Sequence, residues 1–282
     1  MTRTTAPADL YHHALADVYD VLKTPADYEI WADLLEEVLK EQGCTGRRFL
    51  DVGCGTGTSS LALHRRGFEV TACDISEGML EVARAKDQAG EVTFLQADMR
   101  SLPSSLDGFH IIHWLDDVAN HLLGPADLGA AVRSSAGALA PGGLLVFDTN
   151  TLATFTVGYG LRRRNVIERD DIVLIATGMT AKPAADSPAE ARMTAFRHQG
   201  DGLWARRDAS VLEHHFSDDT VRAALADAGL DLVGSYGFGD MTAPGKLVQP
   251  ADEQRHPKIV YVARRPEPAT RAGNRTVRSA EK

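Results

Sequence analysis

The chain has 282 residues, 44% of them hydrophobic, and 30 basic against 39 acidic residues give a formal charge of −9. That length suits one large domain, or one core with a cap, and the acidic balance argues against a general binder of nucleic acid or anionic membrane. Three cysteines (Cys44, Cys54, Cys73) without a CxxC pair or a dense His/Cys cluster argue against a disulfide framework or a zinc site, so no metal is expected.

Residues 10 to 42 read as helical. Tyr11, Leu15, Val18, Tyr19 and Leu22 recur at helical spacing. Thr24-Pro25 breaks the run, and Tyr28, Trp31, Leu34, Leu35, Val38 and Leu39 resume it before Gly43. From Phe49 strands and helices alternate. Strands are predicted over 49–52, 68–73, 92–96, 109–113 and 144–148, and helices over 58–66, 76–89 and 127–139. Ser76 is placed as an N-cap, and Pro141-Gly142-Gly143 as a turn. Short apolar strands joined by crossover helices predict an α/β fold whose parallel sheet is covered on both faces.

Residues 151–215 break this rhythm. Runs over 171–177 and 191–197 read as strands around a loop over 182–190, an antiparallel insertion. A helix over 218–229 and strands over 230–236 and 259–263 follow. The Pro-, Arg- and Thr-rich tail from Arg264 is expected to be disordered. No stretch reaches 18 apolar residues and no signal peptide is read, so a cytoplasmic protein is expected.

The chemistry is concentrated after the first strand, in Asp51-Val52-Gly53-Cys54-Gly55-Thr56-Gly57. A helix N-terminus behind a parallel strand offers free N–H groups, and glycines allow a ligand to come close. The spacing is G-x-G-x-G, not the dinucleotide G-x-G-x-x-G, and the P-loop lysine is missing. Asp51 would repel a pyrophosphate and welcome a cationic amino group. Asp74, seventeen residues beyond Gly57, stands where a carboxylate can hold two ribose hydroxyls. Asp98 could accept from an exocyclic adenine amine, with Met99 packing on the ring. A cofactor with an ammonium, a ribose and an adenine but no phosphate meets all four conditions.

These segments, with Asp74-Ile75-Ser76-Glu77-Gly78-Met79-Leu80, Gln96-Ala97-Asp98-Met99-Arg100 and Leu139-Ala140-Pro141-Gly142-Gly143, resemble the successive motifs of class I S-adenosylmethionine-dependent methyltransferases. The resemblance is close over residues 45–150. It implies a Rossmann-like seven-stranded sheet with an N-terminal helical lid and an antiparallel β insertion, the antiparallel seventh strand (about 259–263) lying at the sheet edge. It also implies S-adenosyl-L-methionine as cofactor, with Tyr19, Trp31, Asp51, Gly53, Cys54, Gly55, Gly57, Asp74, Ile75, Met79, Asp98, Met99 and His113 around it. The expected divisions are a lid over 1–44, a cofactor core over 45–150, an insertion over 151–216 lining the acceptor pocket or mediating dimerisation, the rest of the sheet over 217–265 and a tail over 266–282.

Methyl transfer from a sulfonium needs alignment, exclusion of water and, for some acceptors, a base. Catalytic candidates are His113, Asp117, His214 and His215, with His121 and Asn150 also near the strand ends. Tyr11, Tyr19, Tyr28 and Trp31 resemble an aromatic lid. The expected function is methylation of an N or O atom of a small molecule in bacterial specialised metabolism, such as antibiotic biosynthesis, by a monomer or homodimer. Methylation of RNA or protein, and a non-catalytic binding or scaffold role, are the alternatives.

Overall fold

The computed structural model describes residues 19–21, 25–239 and 245–268. The helix expected over 10–22 falls, except for a 3-10 turn at Tyr19–Val21, outside the described residues, as does the tail from 269. Helix α1 (Pro25–Glu41) starts at the proline, whose missing N–H costs nothing at that position. It buries Trp31, Leu34, Leu35, Val38 and Leu39 as the apolar spacing predicts. Gly43 then turns the chain out at φ 67°, with Cys44 N donating to Leu39 O.

Strand β1 (Arg48–Val52), helix α2 (Thr58–Arg65), β2 (Glu69–Asp74), α3 (Glu77–Lys86), β3 (Thr93–Gln96) and β4 (Phe109–Trp114) follow in the expected order. Helix α4 (Pro125–Ala138) leads to β5 (Leu139–Asn150), longer than predicted because the Pro141-Gly142-Gly143 turn sits inside it. Beyond the insertion come α6 (Asp218–Asp227), β10 (Asp231–Phe238), the two-residue β11 (Leu247–Val248) and β12 (Lys258–Arg264). The sheet order is β11-β10-β12-β5-β4-β1-β2-β3, parallel from β5 to β3.

The late strand was expected at the edge, and that expectation is corrected. β12 lies between β5 and β10, antiparallel to both. Its composition explains the position: Ile259, Val260, Tyr261, Val262 and Ala263 are all buried, so both faces are covered, and an interior place also pairs both edges. β10, with a half-exposed pattern, lies outside it, and the two-residue β11, an eighth strand beyond the expected seven, forms the edge. The tail expectation is also corrected at its start, since Arg265 N donates to Gly143 O beside the β5 turn.

Alternation along β1 divides the core. Leu50 and Val52 pack with Leu128 and Val132 of α4 and Val221 and Leu225 of α6, while Phe49 packs with Leu35 and Val38 of α1 and Leu63 of α2. Arg66, just after α2, ties α1 down through Glu29 (2.8 Å), Asp33 (2.6 Å) and Glu36 (3.0 Å). That clamp fixes the helix carrying Tyr28 against the helix behind the glycine loop.

The insertion holds a short helix, α5 (Leu152–Gly158), and four antiparallel strands in the order β6-β7-β8-β9: β6 (Arg164–Arg169), β7 (Ile172–Gly178), β8 (Pro188–Gly200) and β9 (Leu203–His214). Asp201 and Gly202, both at positive φ, close the long β8–β9 hairpin, the backbone that a two-residue turn between twisted strands needs. Ile172, Leu174, Met193, Ala195, Ala209 and Val211 form its own small core.

Candidate active site

A cavity of about 560 Å³ opens beyond the carboxyl ends of β1 to β4, the usual place for a ligand in an open α/β sheet. Its walls come from the glycine loop, the ends of β2 and β3, the segment after β4, Tyr19 and Tyr28, and the insertion residues Glu190, Ser210, Val211 and Leu212. The volume is within the range of about 300–1,000 Å³ usual for small-ligand sites.

Asp51, 1% exposed, is held from three sides. Ser59 Oγ and Ser60 Oγ donate to its Oδ2 at 2.7 and 2.6 Å, and His113 Nε2 lies 2.8 Å from Oδ1. Burial works against the carboxylate's charge, but His113 and the two hydroxyls outweigh it and hold Asp51 below the usual carboxylate range. The same contacts anchor α2 to the end of β1. His113 is therefore committed to Asp51 and edge-on to Phe49, and it does not line the cavity.

Asp74 binds the glycine loop. Gly55 N donates to Oδ2 and Ser76 N to Oδ1, both at 2.8 Å, while Ser76 Oγ caps α3 by accepting from Met79 N. Burial pushes this carboxyl up, against the two backbone donors. Gly53 and Gly55 stand at φ 73° and 53°. A Cβ on Gly53 would strike Val118 at 2.5 Å, whereas one on Gly55 would meet only the Tyr19 ring at 3.9 Å and would otherwise fill cavity space. Gly57 does a different job: a Cβ there would strike Ala83 at 2.8 Å and Phe94 at 3.0 Å, away from the cavity, so its missing side chain lets α3 and β3 pack closely.

Cys54, Ile75, Met79, Asp98 and Met99 line the cavity. Burial raises the Cys54 thiol, which suits a filler and not a nucleophile. Asp98 is gripped by Arg100, whose Nη2 donates at 2.6 Å and whose hydrogen bonds hold the carboxylate below its usual range. Trp31 lies elsewhere, against Phe238 with ring centroids 4.4 Å apart in the core beneath α1. Asp20 pins the N-terminal turn to the glycine loop, accepting from Thr56 Oγ1 at 2.6 Å and pairing with Lys86 at 2.6 Å.

The acceptor side is built on a strained turn. Asp116 and Asp117 follow β4 at φ 65° and 62°, unusual for non-glycine residues and tolerated best by Asp and Asn. Their N–H groups donate to Asp148 at 2.6 and 2.9 Å, and Lys258 Nζ bonds Asp116, Asp117 and Asp148 at 2.9, 3.0 and 2.9 Å. Sequence reading missed Lys258 and Asp148. The lysine is 141 residues from Asp117 and carries no local signal beyond a charge at the start of an apolar run.

His214 and His215 do not reach the cavity. His214 stacks on Phe216, and His215 sits edge-on to Phe155 while its Nδ1 accepts from Asp186 N. Their neighbour Glu213 joins Asp117 and His121 instead, one ligand atom of each lying within 4.8 Å of the others. His121 lines the cavity and reaches solvent through it, although protein surrounds it. Burial pulls its imidazole below the usual value, against the opposing carboxylates of Asp117 and Asp74. Asn150 N donates to Asn120 Oδ1, and Asn120 Nδ2 to His214 O, both at 2.9 Å, tying the ends of β5 and β9 to the His121 turn.

The cofactor can be tested on this lining. Asp51, Asp74, Asp98, Asp116, Asp127 and Glu190 face the cavity, and the one arginine among the lining residues, Arg100, is already bonded to Asp98 and Asp127. Such a wall rejects a pyrophosphate and suits a cationic sulfonium and ammonium beside a ribose. The open face of Gly55 provides the close backbone approach.

A family model described as a methyltransferase domain matches residues 49–143. A Geobacillus sp. (strain WCH70) protein named as a methyltransferase is 29% identical over 225 residues, 79% of this chain and 90% of that protein. Seven further methyltransferase relatives are matched over only 41% to 56% of their own lengths. Among solved structures, a sugar N-methyltransferase from Streptoalloteichus sp. ATCC 53650 superposes with a TM-score of 0.70 at 24% identity, covering 95% of this chain and 99% of that one. An amino pentose methyltransferase of calicheamicin biosynthesis from Micromonospora echinaspora gives 0.65 at 22%, covering 88% and 96%. At these identities the two structures speak to the fold alone. With the fold and the motif-bearing core agreeing, the chain belongs to the class I S-adenosylmethionine-dependent methyltransferases. It is an enzyme, and S-adenosylmethionine is its cofactor.

Proposed function

We propose that this chain methylates a basic nitrogen of a small molecule. The observation that carries the reading is the acidic acceptor side. Asp116, Asp117 and Asp148 are gathered around the single ammonium of Lys258 and Glu213 stands beside Asp117, next to a cavity with five further carboxylates in its wall. A cationic amine gains there what an anionic phenolate or carboxylate loses. A sugar N-methyltransferase shares this fold, an analogy of fold that agrees with an amine. The likeness to an enzyme of calicheamicin biosynthesis supports a place in bacterial specialised metabolism. The net charge of −9 supports a small acceptor over RNA. Among the described residues no helix is long and apolar enough to cross a membrane. We read the enzyme as cytoplasmic and as a monomer or homodimer.

When bound, S-adenosylmethionine supplies a methyl group whose C–S electron pair leaves onto sulfur as the acceptor's lone pair forms the new bond. The chain does the rest. The glycine loop, Asp51 and Asp74 would hold the amino-acid and ribose parts, and Ile75, Met79, Asp98 and Met99 the base. Tyr19 and Tyr28 line the cavity and would help keep water out once the ligands are bound. An amine arriving protonated must lose a proton to expose its lone pair, and His121, which faces the cavity with its imidazole held below the usual value, is placed to take it. His121 thus replaces His113, His214 and His215 as the candidate base.

Release of S-adenosylhomocysteine should be followed with matched pairs of amino sugars and their hydroxyl analogues. Turnover is expected with the amines, at least about tenfold above the alcohols, the effect of about 1.4 kcal/mol of discrimination. Faster turnover with the alcohols would overturn the amine reading.

A further inference from the structure

The inserted sheet contributes one side chain that donor binding does not require. Glu213, at the end of β9, is 3% exposed, continues the buried face of that strand after Ala209 and Val211, and stands beside Asp117 and His121 of the turn after β4. We propose that Glu213 is a positioning residue: it shares one proton with Asp117, and the pair sets the charge and orientation of His121 at the cavity wall. The proposal rests on reading that cavity as the site of methyl transfer.

The geometry is fixed from several sides. Asp117 is locked by its own N–H on Asp148 and by Lys258 on Oδ1. Asn120, wholly buried, bonds the His214 carbonyl next to Glu213 and the Asn150 amide, so the His121 turn is tied to the ends of β9 and β5. Asn150 Nδ2 lies 3.5 Å from Glu213 Oε2, and Tyr159, at the C-cap of α5, hydrogen bonds Glu213 from the other side. The charged and titratable groups facing the trio are thus Tyr28 from α1, Asp74 from β2, Asp116 beside it, Asp148 from β5, Tyr159 from α5 and Lys258 from β12.

Lys258 divides its ammonium among three aspartates, so it does not neutralise Glu213 as well. Two carboxylates packed this closely in protein do not both ionise near neutral pH. Burial raises both, Glu213 above its usual range and Asp117 to about 8, in spite of Lys258. The shared proton leaves the pair with one negative charge behind His121. That charge stabilises the imidazolium formed when a proton arrives from the acceptor. The insertion therefore completes the electrostatics of the reacting site as well as its wall.

The test is a histidine titration by NMR of the full chain, labelled at the imidazole nitrogens, with His121 assigned from His121→Gln. In the wild type, the His121 signals are expected to show a second inflection near pH 8, where the pair loses its shared proton. Glu213→Gln and Asp117→Asn should each abolish that inflection, with fold checked by circular dichroism and by S-adenosylhomocysteine binding. A wild type lacking the inflection, or either folded variant retaining it, would overturn the proposal. The titration is run with and without S-adenosylhomocysteine. Failure of the wild type to bind that ligand would count against the function and leave the titration to decide the pair.

Discussion

Lys258→Met is expected to destabilise the protein by about 3–5 kcal/mol at pH 8, the usual cost of removing one partner from a buried ionic group. The size follows from what is left behind. Asp148 is 1% exposed, Asp116 8%, and the two strained turn residues would keep their backbone bonds to Asp148 with no cation nearby to balance the charges. Three aspartates around one lysine raise its pKa well above the ordinary value although burial opposes it. The stability this lysine supplies is therefore fully present below the unfolded lysine value and is lost only as the pH rises through the higher folded one. Across pH 5 to 8 the wild-type lysine does not titrate, but the orphaned carboxylates of the variant take up protons as the pH falls. The deficit should thus shrink toward pH 5. Urea denaturation at both pH values measures it, and a deficit below about 1 kcal/mol at pH 8, the level of an exposed pair, would contradict the buried-hub account.

Asp74→Ala is expected to weaken S-adenosylhomocysteine binding by about 3 kcal/mol, or about 100-fold, with the fold retained. Two effects add. The ribose hydroxyls would lose a charged acceptor, worth about 1.5–3 kcal/mol per hydrogen bond. The loop also loses its brace, because Gly55 N and Ser76 N both donate to this carboxylate. Helix α3 keeps its own cap from Ser76 Oγ to Met79 N, which is why the fold should survive. Asp74→Asn retains the shape and an acceptor oxygen and should fall between the two. Calorimetry measures the series; equal affinity in wild type and alanine variant would remove Asp74 from the ribose site.

The glycine loop, Asp51, Asp74 and the strand–helix alternation were legible because each is a local pattern. A strand-end acid, glycines at positive φ and a capped helix are all set within a few residues. What lay beyond reading depends on distant pairing. The interior place of β12 follows from burial on both faces, which a five-residue apolar run also satisfies at an edge covered by helices. His113 looked like a strand-end residue facing substrate, but register with β1 sets it beside Asp51. His214 and His215 drew attention as histidines, while it is Glu213 that stands beside Asp117 and His121, because the packing of β9 on the turn after β4 decides which residue of that run meets it. Trp31 was assigned to the cofactor from its aromatic character, yet it lies on the buried stripe of α1 beside Leu34, Leu35 and Val38. Lys258 had no partner in its own neighbourhood and could be found only in three dimensions.

The central claim is that the cavity at the ends of β1 to β4 is the donor site and that its reacting end faces His121, with the Asp117–Glu213 pair behind it. A crystal structure with S-adenosylhomocysteine tests it most directly. The account predicts ribose hydroxyls on Asp74, the amino-acid part over Gly53 and Gly55, and the sulfur directed toward His121. Ligand bound outside this cavity, or a sulfur turned away from His121 toward β3, would contradict it.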